Sequence, residues 1–361
     1  MRGQASREGK GWRRRDVLAL PGLAIGAWAG HALGRGMGPA APVGGPPVGP
    51  AGLAAPPRGD VRLVAISDLN SAYGSTSYLS QVTRGITLIP GWQPDLVLCG
   101  GDMIAGQKRG LGRERLQAMW AGFDTRILQP LRRAGLPVVV TMGNHDASGS
   151  RARGQYAFPL DREEARRFWQ ARRDRLGLRL LDATAFPFAY SLRQNDLFLL
   201  VWDASSATVP AEQVAWAERA LASPEARSAR ERFVLGHLPL YPVGRGREGG
   251  GNVLVQADRL RQLMERHNVR AYISGHHHAY FPGRVGSLDL IALGALGSGP
   301  RTWLGQTAAP LQTLTVIDLF DGAPAPVLTT YDMNSLRPIP LTALPPRIVS
   351  PSGVVVARQG G

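Results

Sequence analysis

Five short apolar runs in this chain end alike. Residues 61–67, 96–99, 137–142, 232–235 and 270–273 are short enough and β-rich enough to be buried strands. They run into Ser67-Asp68-Leu69-Asn70, Cys99-Gly100-Gly101-Asp102, Gly143-Asn144-His145-Asp146, Gly236-His237 and Ser274-Gly275-His276-His277-His278. Open α/β sheets place their ligands at the carboxyl ends of strands. Glycine beside most of these polar residues lets the backbone turn and bring them together. A single Asp after a strand is ordinarily a cap or turn residue, and a single His is ordinarily structural. Five such endings in one order are more than caps account for. Alternation of side chains in the last segment places His276 and His278 on one side and His277 on the other.

Between these strands lie helical patterns. Residues 77–89 form a helix stopped by Pro90-Gly91. Over 111–134, Leu116, Met119, Trp120, Phe123, Ile127 and Leu131 recur at helical spacing. Further helices are expected at 161–176, 211–222 and 254–267. Residues 186–192 and 197–202 read as a hairpin turning near Asn195-Asp196, and segments 285–293, 312–319 and 325–331 make the later part β-rich. Mixed elements of this kind predict an α/β fold of sheets covered by helices. One domain is expected over 60–335, followed by a C-terminal tail at 336–361.

The 361 residues are 44% hydrophobic and 19% charged, so a large core is available. Cys99 is the single cysteine. This excludes an internal disulfide and cysteine-based zinc or iron–sulfur sites. Any metal must be held by His, Asp, Glu or Asn. The net charge is +15; eight Lys/Arg against two acids give residues 1–59 a charge of +6, leaving +9 for the rest. The chain carries no helix-turn-helix, zinc-finger or RNP pattern, so its basicity points to no specific nucleic-acid partner.

At the N-terminus an arginine cluster precedes an apolar, Gly/Ala-rich stretch at 17–29, the layout of a secretory signal and too short for a confident membrane span. Arg14-Arg15-Asp16-Val17-Leu18 resembles the twin-arginine export signal, and Ala27-Trp28-Ala29 is a small-x-small cleavage candidate. Residues 1–33 are thus expected to export the protein to the periplasm or beyond, with membrane attachment only through this segment if it is uncleaved. Residues 34–59, dominated by Gly, Pro and Ala, read as a disordered linker, with folded structure starting near Asp60.

Oxygen and imidazole donors converging without cysteine suit a pair of divalent ions such as Mn, Fe or Zn. Two ions sharing a carboxylate form a clamp for phosphate hydrolysis. The order Asp-x-Asn, Gly-Asp, Gly-Asn-His-Asp, Gly-His and Gly-His-His-His, from Asp68 to His278, resembles the calcineurin-like metallophosphoesterases. The resemblance implies a two-sheet β-sandwich flanked by helices, with the metals at one edge. It implies that one metal binds Asp68, Asp102 and His278, and the second binds Asp102, Asn144, His237 and His276. By the same resemblance His145 contacts substrate or leaving group and Asp146 helps to orient it. His277, the variable residue of Gly-His-x-His, is not counted as a ligand.

The chain departs from that family at Asn70, which stands where histidine is usual and would be a weaker donor to the first metal. Gly-Asp continues as Met103-Ile104-Ala105, which lacks the second acid of many members, the tyrosine of purple acid phosphatases and the Asp-Arg-Gly of serine/threonine protein phosphatases. Tyr73, Tyr241 and Arg245 are candidates for the substrate rim, and the hydroxyls at 73–77 are expected to cap the following helix. The expected activity is hydrolysis of a phosphomonoester or phosphodiester. The alternative is a metal-binding pseudoenzyme or surface-binding protein whose first site is impaired at Asn70.

Overall fold

A computed structural model describes residues 45–360 of the chain. The export signal read at 1–33, and the linker up to residue 44, lie outside the described residues. Two large sheets form the body. One has six strands, in the order Arg337–Pro338, Val327–Asp332, Thr313–Leu319, Val61–Ile66, Leu96–Cys99 and Val138–Val140. The last three are parallel to one another, whereas Thr313–Leu319 runs antiparallel to both of its neighbours. The other has nine strands, in the order Arg347–Val349, Val355–Arg358, Phe281–Val285, Leu288–Ala292, Ala271–Ser274, Glu231–Leu235, Leu197–Val201, Ala189–Gln194 and Leu180–Ala185.

Alternation along the second sheet divides the core. Leu197, Leu199, Val201, Phe233, Leu235 and Ile273 join a cluster with Leu63, Val97 and Val139 of the first sheet. Their neighbours Phe198, Leu200, Trp202, Val234 and Tyr272 belong to a second cluster with Leu260, Leu263 and Met264 of helix Ala257–Arg266. A period of two on each strand therefore builds a sandwich with a helix layer outside it. Trp120 of helix Arg113–Phe123 stacks on Phe168 of helix Pro159–Gln170, and Trp120 and Phe123 meet Trp169, and Phe123 meets Phe168, edge to face. The α/β sandwich expected from the sequence is the fold found. Among the described residues no helix is long and apolar enough to cross a membrane.

Element boundaries depart from expectation where capping and packing decide them. The helix expected at 161–176 begins earlier, with Pro159 in its first turn, and ends at Gln170. The pattern at 111–134 is continuous but passes through a π-helical stretch at Asp124–Leu128. The hydroxyls at 73–77 close a turn of their own, with Ser75 Oγ accepting from Ser77 N, and Leu79 starts the next helix without a side-chain cap.

Both ends of the expected domain are extended. Residues 337–338 join the first sheet, and 347–349 and 355–358 add two strands to the edge of the second. Residues 45–58, read as linker, lie against the body, with a bridge between Pro47 and Pro57. Their anchor is Arg62, fully buried, whose guanidinium donates to the carbonyls of Val48, Pro56 and Pro57 at 2.6, 3.2 and 2.9 Å. Composition hides this order, because it is made by backbone carbonyls and not by an apolar pattern.

The same guanidinium grips Asp318 with Nε–Oδ1 at 2.7 Å and Nη2–Oδ2 at 3.0 Å. Removing one partner of a buried pair strands the other charge. Asp318→Ala is therefore expected to destabilise the fold by about 3–5 kcal/mol. Urea unfolding would register this as a lower midpoint at nearly constant m-value. A shift under about 1 kcal/mol would mean that the carbonyls alone hold Arg62.

Candidate metal centre

The strands at 61–66, 96–99 and 138–140 point one way, so their carboxyl ends lie at one edge of the first sheet. Strands Glu231–Leu235 and Ala271–Ser274 are likewise parallel in the second sheet. Backbone bonds order the loops within each edge, and Leu296 N and Gly297 N, which follow Leu288–Ala292 of the second sheet, cross to the first by donating to Ser67 O at 2.9 Å and Asp68 O at 2.8 Å. Asp68 N donates to Gly101 O at 2.9 Å, Leu69 N to Asp102 O at 2.9 Å and Gly275 N to His237 O at 2.9 Å. The approach is close enough to require glycine: a Cβ at Gly275 would collide with Ser67 Oγ and Asp68 Oδ2, and one at Gly143 with the Asp102 carboxylate.

Two donor groups result. Asp68, Asp102 and His278 offer ligand atoms within 4.8 Å of one another, and so do Asp102, His237 and His276. Asp102 belongs to both. Asn144 Oδ1 stands 3.0 Å from His237 Nε2 and 2.9 Å from His276 Nδ1, which places it in the second group. Asp68, Asp102, His276 and His278 all take left-handed backbone, with φ of 52°, 53°, 65° and 54°. Each such residue costs about 1 kcal/mol or more, strain of the kind that collects at functional sites.

The donor atoms are preset by the other end of each side chain. A carbonyl can only accept, so His237 Nδ1–H donates to Gly100 O at 2.7 Å and turns Nε2 toward Asp102, where a cation would replace any proton it carries. His278 does the same through Gly299 O at 2.7 Å, with its Nε2 3.1 Å from Asp68 Oδ1. His276 is reversed: Nε2 faces Asn252 Oδ1 at 3.1 Å, leaving Nδ1 for the site. Asn144 Nδ2 donates to Gln107 Oε1 at 2.7 Å, turning its oxygen inward. Fixing the far nitrogen of an imidazole in this way orients it for a metal. The donor set therefore fits two divalent ions.

Charge in the site agrees. Burial opposes ionisation of Asp68, but His278 beside it holds its carboxyl below the ordinary value. Asp102 is likewise opposed by burial and held low by His237 and His145. Burial opposes protonation of His237, yet the Asp102 and Asp68 charges outweigh it and raise the ring to about 9. Two buried carboxylates thus draw positive charge from whatever is near, a role a cation fills.

Other predicted residues are placed as follows. Asn70 lies beside the first group, its backbone N–H donating to Asp102 O and its carbonyl accepting from Ser298. His145 Nδ1 donates to Gly106 O at 3.1 Å, and Nε2 lies 3.9 Å from Asp102 Oδ2. Its ring packs at 5.1 Å from Tyr73, which is exposed.

Asp146 corrects the expectation that it orients the His145 ring. Its oxygens accept from Met103 N, Ile104 N and Gly143 N at 2.8–2.9 Å, so it joins two loops through their backbone. Burial, then the Asp102 charge, raise its carboxyl to about 7. Tyr241 also corrects: its hydroxyl donates to Asp258 Oδ1 at 2.6 Å within the second core, away from the rim.

His277 faces away from the ligands, as alternation predicted. Its Nδ1 accepts from Val243 N and Gly244 N, both at 3.1 Å, and Nε2–H donates to Asn252 O at 2.9 Å. Gln107 and Asn252 have no sequence signal of their own, because folding alone brings them to the ligands.

Residues 61–280 match the family described as calcineurin-like phosphoesterase. Among solved structures, the purple acid phosphatase PPD1 of yellow lupin (Lupinus luteus) is similar with a TM-score of 0.57 at 16% identity, covering 80% of this chain and 54% of that one. This chain thus spans about half the length of the lupin protein. A dimetal phosphatase from Danio rerio is similar with a TM-score of 0.51 at 12% identity, covering 74% of this chain and 98% of that one. At these identities the likeness is one of fold. No curated protein matches the chain in sequence. The family match spans the strand-end motifs from Asp68 to His278, and together with the paired donor groups built on Asp102 it makes the chain a member of the calcineurin-like phosphoesterase family.

Proposed function

We propose that this protein hydrolyses a phosphomonoester or phosphodiester outside the cytoplasm. The observation that carries the reading is one carboxylate, Asp102, shared by two donor groups whose nitrogens are preset toward them. When bound, a pair of divalent ions supplies Lewis acidity and an acidified water. The first ion would be held by Asp68, Asp102 and His278, with Asn70 beside them. The second would be held by Asp102, Asn144, His237 and His276. His145, whose Nε2 lies 3.9 Å from Asp102 Oδ2, would give a proton to the departing ester oxygen. Assays of metal-loaded protein with p-nitrophenyl phosphate and bis-p-nitrophenyl phosphate test the reading and separate the two ester classes. Absence of hydrolysis with Mn, Fe and Zn alike would favour the metal-binding pseudoenzyme instead.

Asn70 is proposed to tune the first metal. An amide oxygen suits Mn better than Zn, and an imidazole there would add a strong nitrogen donor. Asn70→His is expected to tighten that site by roughly tenfold or more and move preference toward Zn or Fe. Metal content after equal exposure to mixed Mn, Fe and Zn reads this directly. Identical selectivity in variant and parent would remove Asn70 from the centre.

Export is proposed from Arg14-Arg15 and the apolar stretch that follows. Changing both arginines to lysine should trap a reporter fusion inside the cell, and undiminished export would refute the twin-arginine route.

A further inference from the structure

We propose that Arg247 and Arg301 form an anion site beside the metal-ligand histidines, selecting phosphate esters that carry a second anionic group. The substrate part of this inference rests on the phosphoesterase reading above.

Both arginines are tied to the segments that hold His276 and His278. Asn252 Oδ1 accepts from Arg247 Nη1 at 3.0 Å and faces His276 Nε2 at 3.1 Å. Arg301 N–H donates to His278 O at 3.0 Å. The two arginine-bearing segments also touch each other. Arg245 N donates to Thr302 O at 2.9 Å, Arg301 Nη1 donates to Arg245 O at 3.4 Å, and a Cβ on Gly246 would stand 3.5 Å from Arg301 Nη1.

Charge and hydrogen bonding are incomplete there. Among the described residues neither guanidinium has an acid within ion-pair distance. Arg247 Nε, Arg301 Nε and Thr302 Oγ1 are buried without a partner. Burial, then the Arg247 charge, hold the Arg301 guanidinium below its ordinary value. Glu248 offsets part of this, but it lies beyond ion-pair distance of both guanidiniums.

Two half-buried cations that repel each other need a counter-charge. Paired guanidiniums match the oxygens of phosphate or carboxylate, and Arg holds its charge through burial better than Lys. Their attachment to the histidine segments sets the second anion next to the scissile phosphate. Fully solvated arginines would keep no polar atom buried and unpartnered.

The test uses the full, metal-loaded chain and its Arg247→Gln, Arg301→Gln and Arg301→Lys variants, with circular dichroism to confirm folding. Calorimetry compares inorganic pyrophosphate with inorganic phosphate. The parent should prefer pyrophosphate, each Gln variant should lose roughly tenfold of that preference, and Arg301→Lys should keep part of it. In parallel, kcat/KM is compared for carboxyphenyl phosphate and phenyl phosphate, and their ratio should fall in both Gln variants. If both Gln variants fold and keep the parent's preference and ratio, the anion site is overturned. If no ester is hydrolysed but pyrophosphate preference still depends on the arginines, the anion site stands and the phosphoesterase reading fails.

Discussion

Asp102→Ala is expected to eliminate hydrolysis, lowering kcat/KM by more than about a thousandfold, and to leave bound metal well below that of the parent. Among the described residues no other side chain belongs to both donor groups. Losing Asp68 or His278 would weaken one group, whereas losing Asp102 takes an anionic donor from each. The carboxylate also organises the protein around it: Oδ1 accepts from His145 N at 2.8 Å and Oδ2 lies 3.3 Å from His237 Nε2. Its removal leaves the His145 N–H without an acceptor, at a cost of about 1–3 kcal/mol. Metal analysis must therefore be accompanied by a stability measurement, so that a folded, metal-poor variant is distinguished from an unfolded one. A folded variant with full metal occupancy would refute the bridging role.

His145→Ala should lower activity by about 10²–10⁴-fold on an ester whose leaving group needs a proton, with metal content retained. His145 Nδ1 is held by Gly106 O, so only Nε2 is available toward the reacting groups. The effect should shrink on p-nitrophenyl esters, because p-nitrophenolate departs without protonation. Comparing variant and parent across aryl esters of rising leaving-group pKa separates this role from a structural one. An equal loss on every ester would mean that His145 holds substrate or loop and does not move a proton. Asp146 offers the contrast: its partners are three backbone N–H groups, so its substitution should cost stability before it alters leaving-group dependence.

The parts of this protein legible in its sequence are those written in local pattern. Apolar runs with polar, glycine-flanked ends predicted the strands at 61–66, 96–99, 138–140, 231–235 and 271–274 and the convergence of the donor side chains beyond them. Alternation correctly separated His276 and His278 from His277, although these residues lie beyond the strand at 271–274 and it is left-handed backbone at His276 and His278 that sets their directions. Tertiary structure decided whatever depends on a single distant partner. The far nitrogens of His237 and His278 are set by Gly100 O and Gly299 O, that of His276 by Asn252, and Asn144 by Gln107. Residues 45–58 are ordered by Arg62, and 347–358 by an open sheet edge. A carbonyl is present at every position and a lone amide side chain has no period, so neither announces its partner in a sequence. Only the folded chain, by bringing two sheet edges into hydrogen-bond range, gives each a partner.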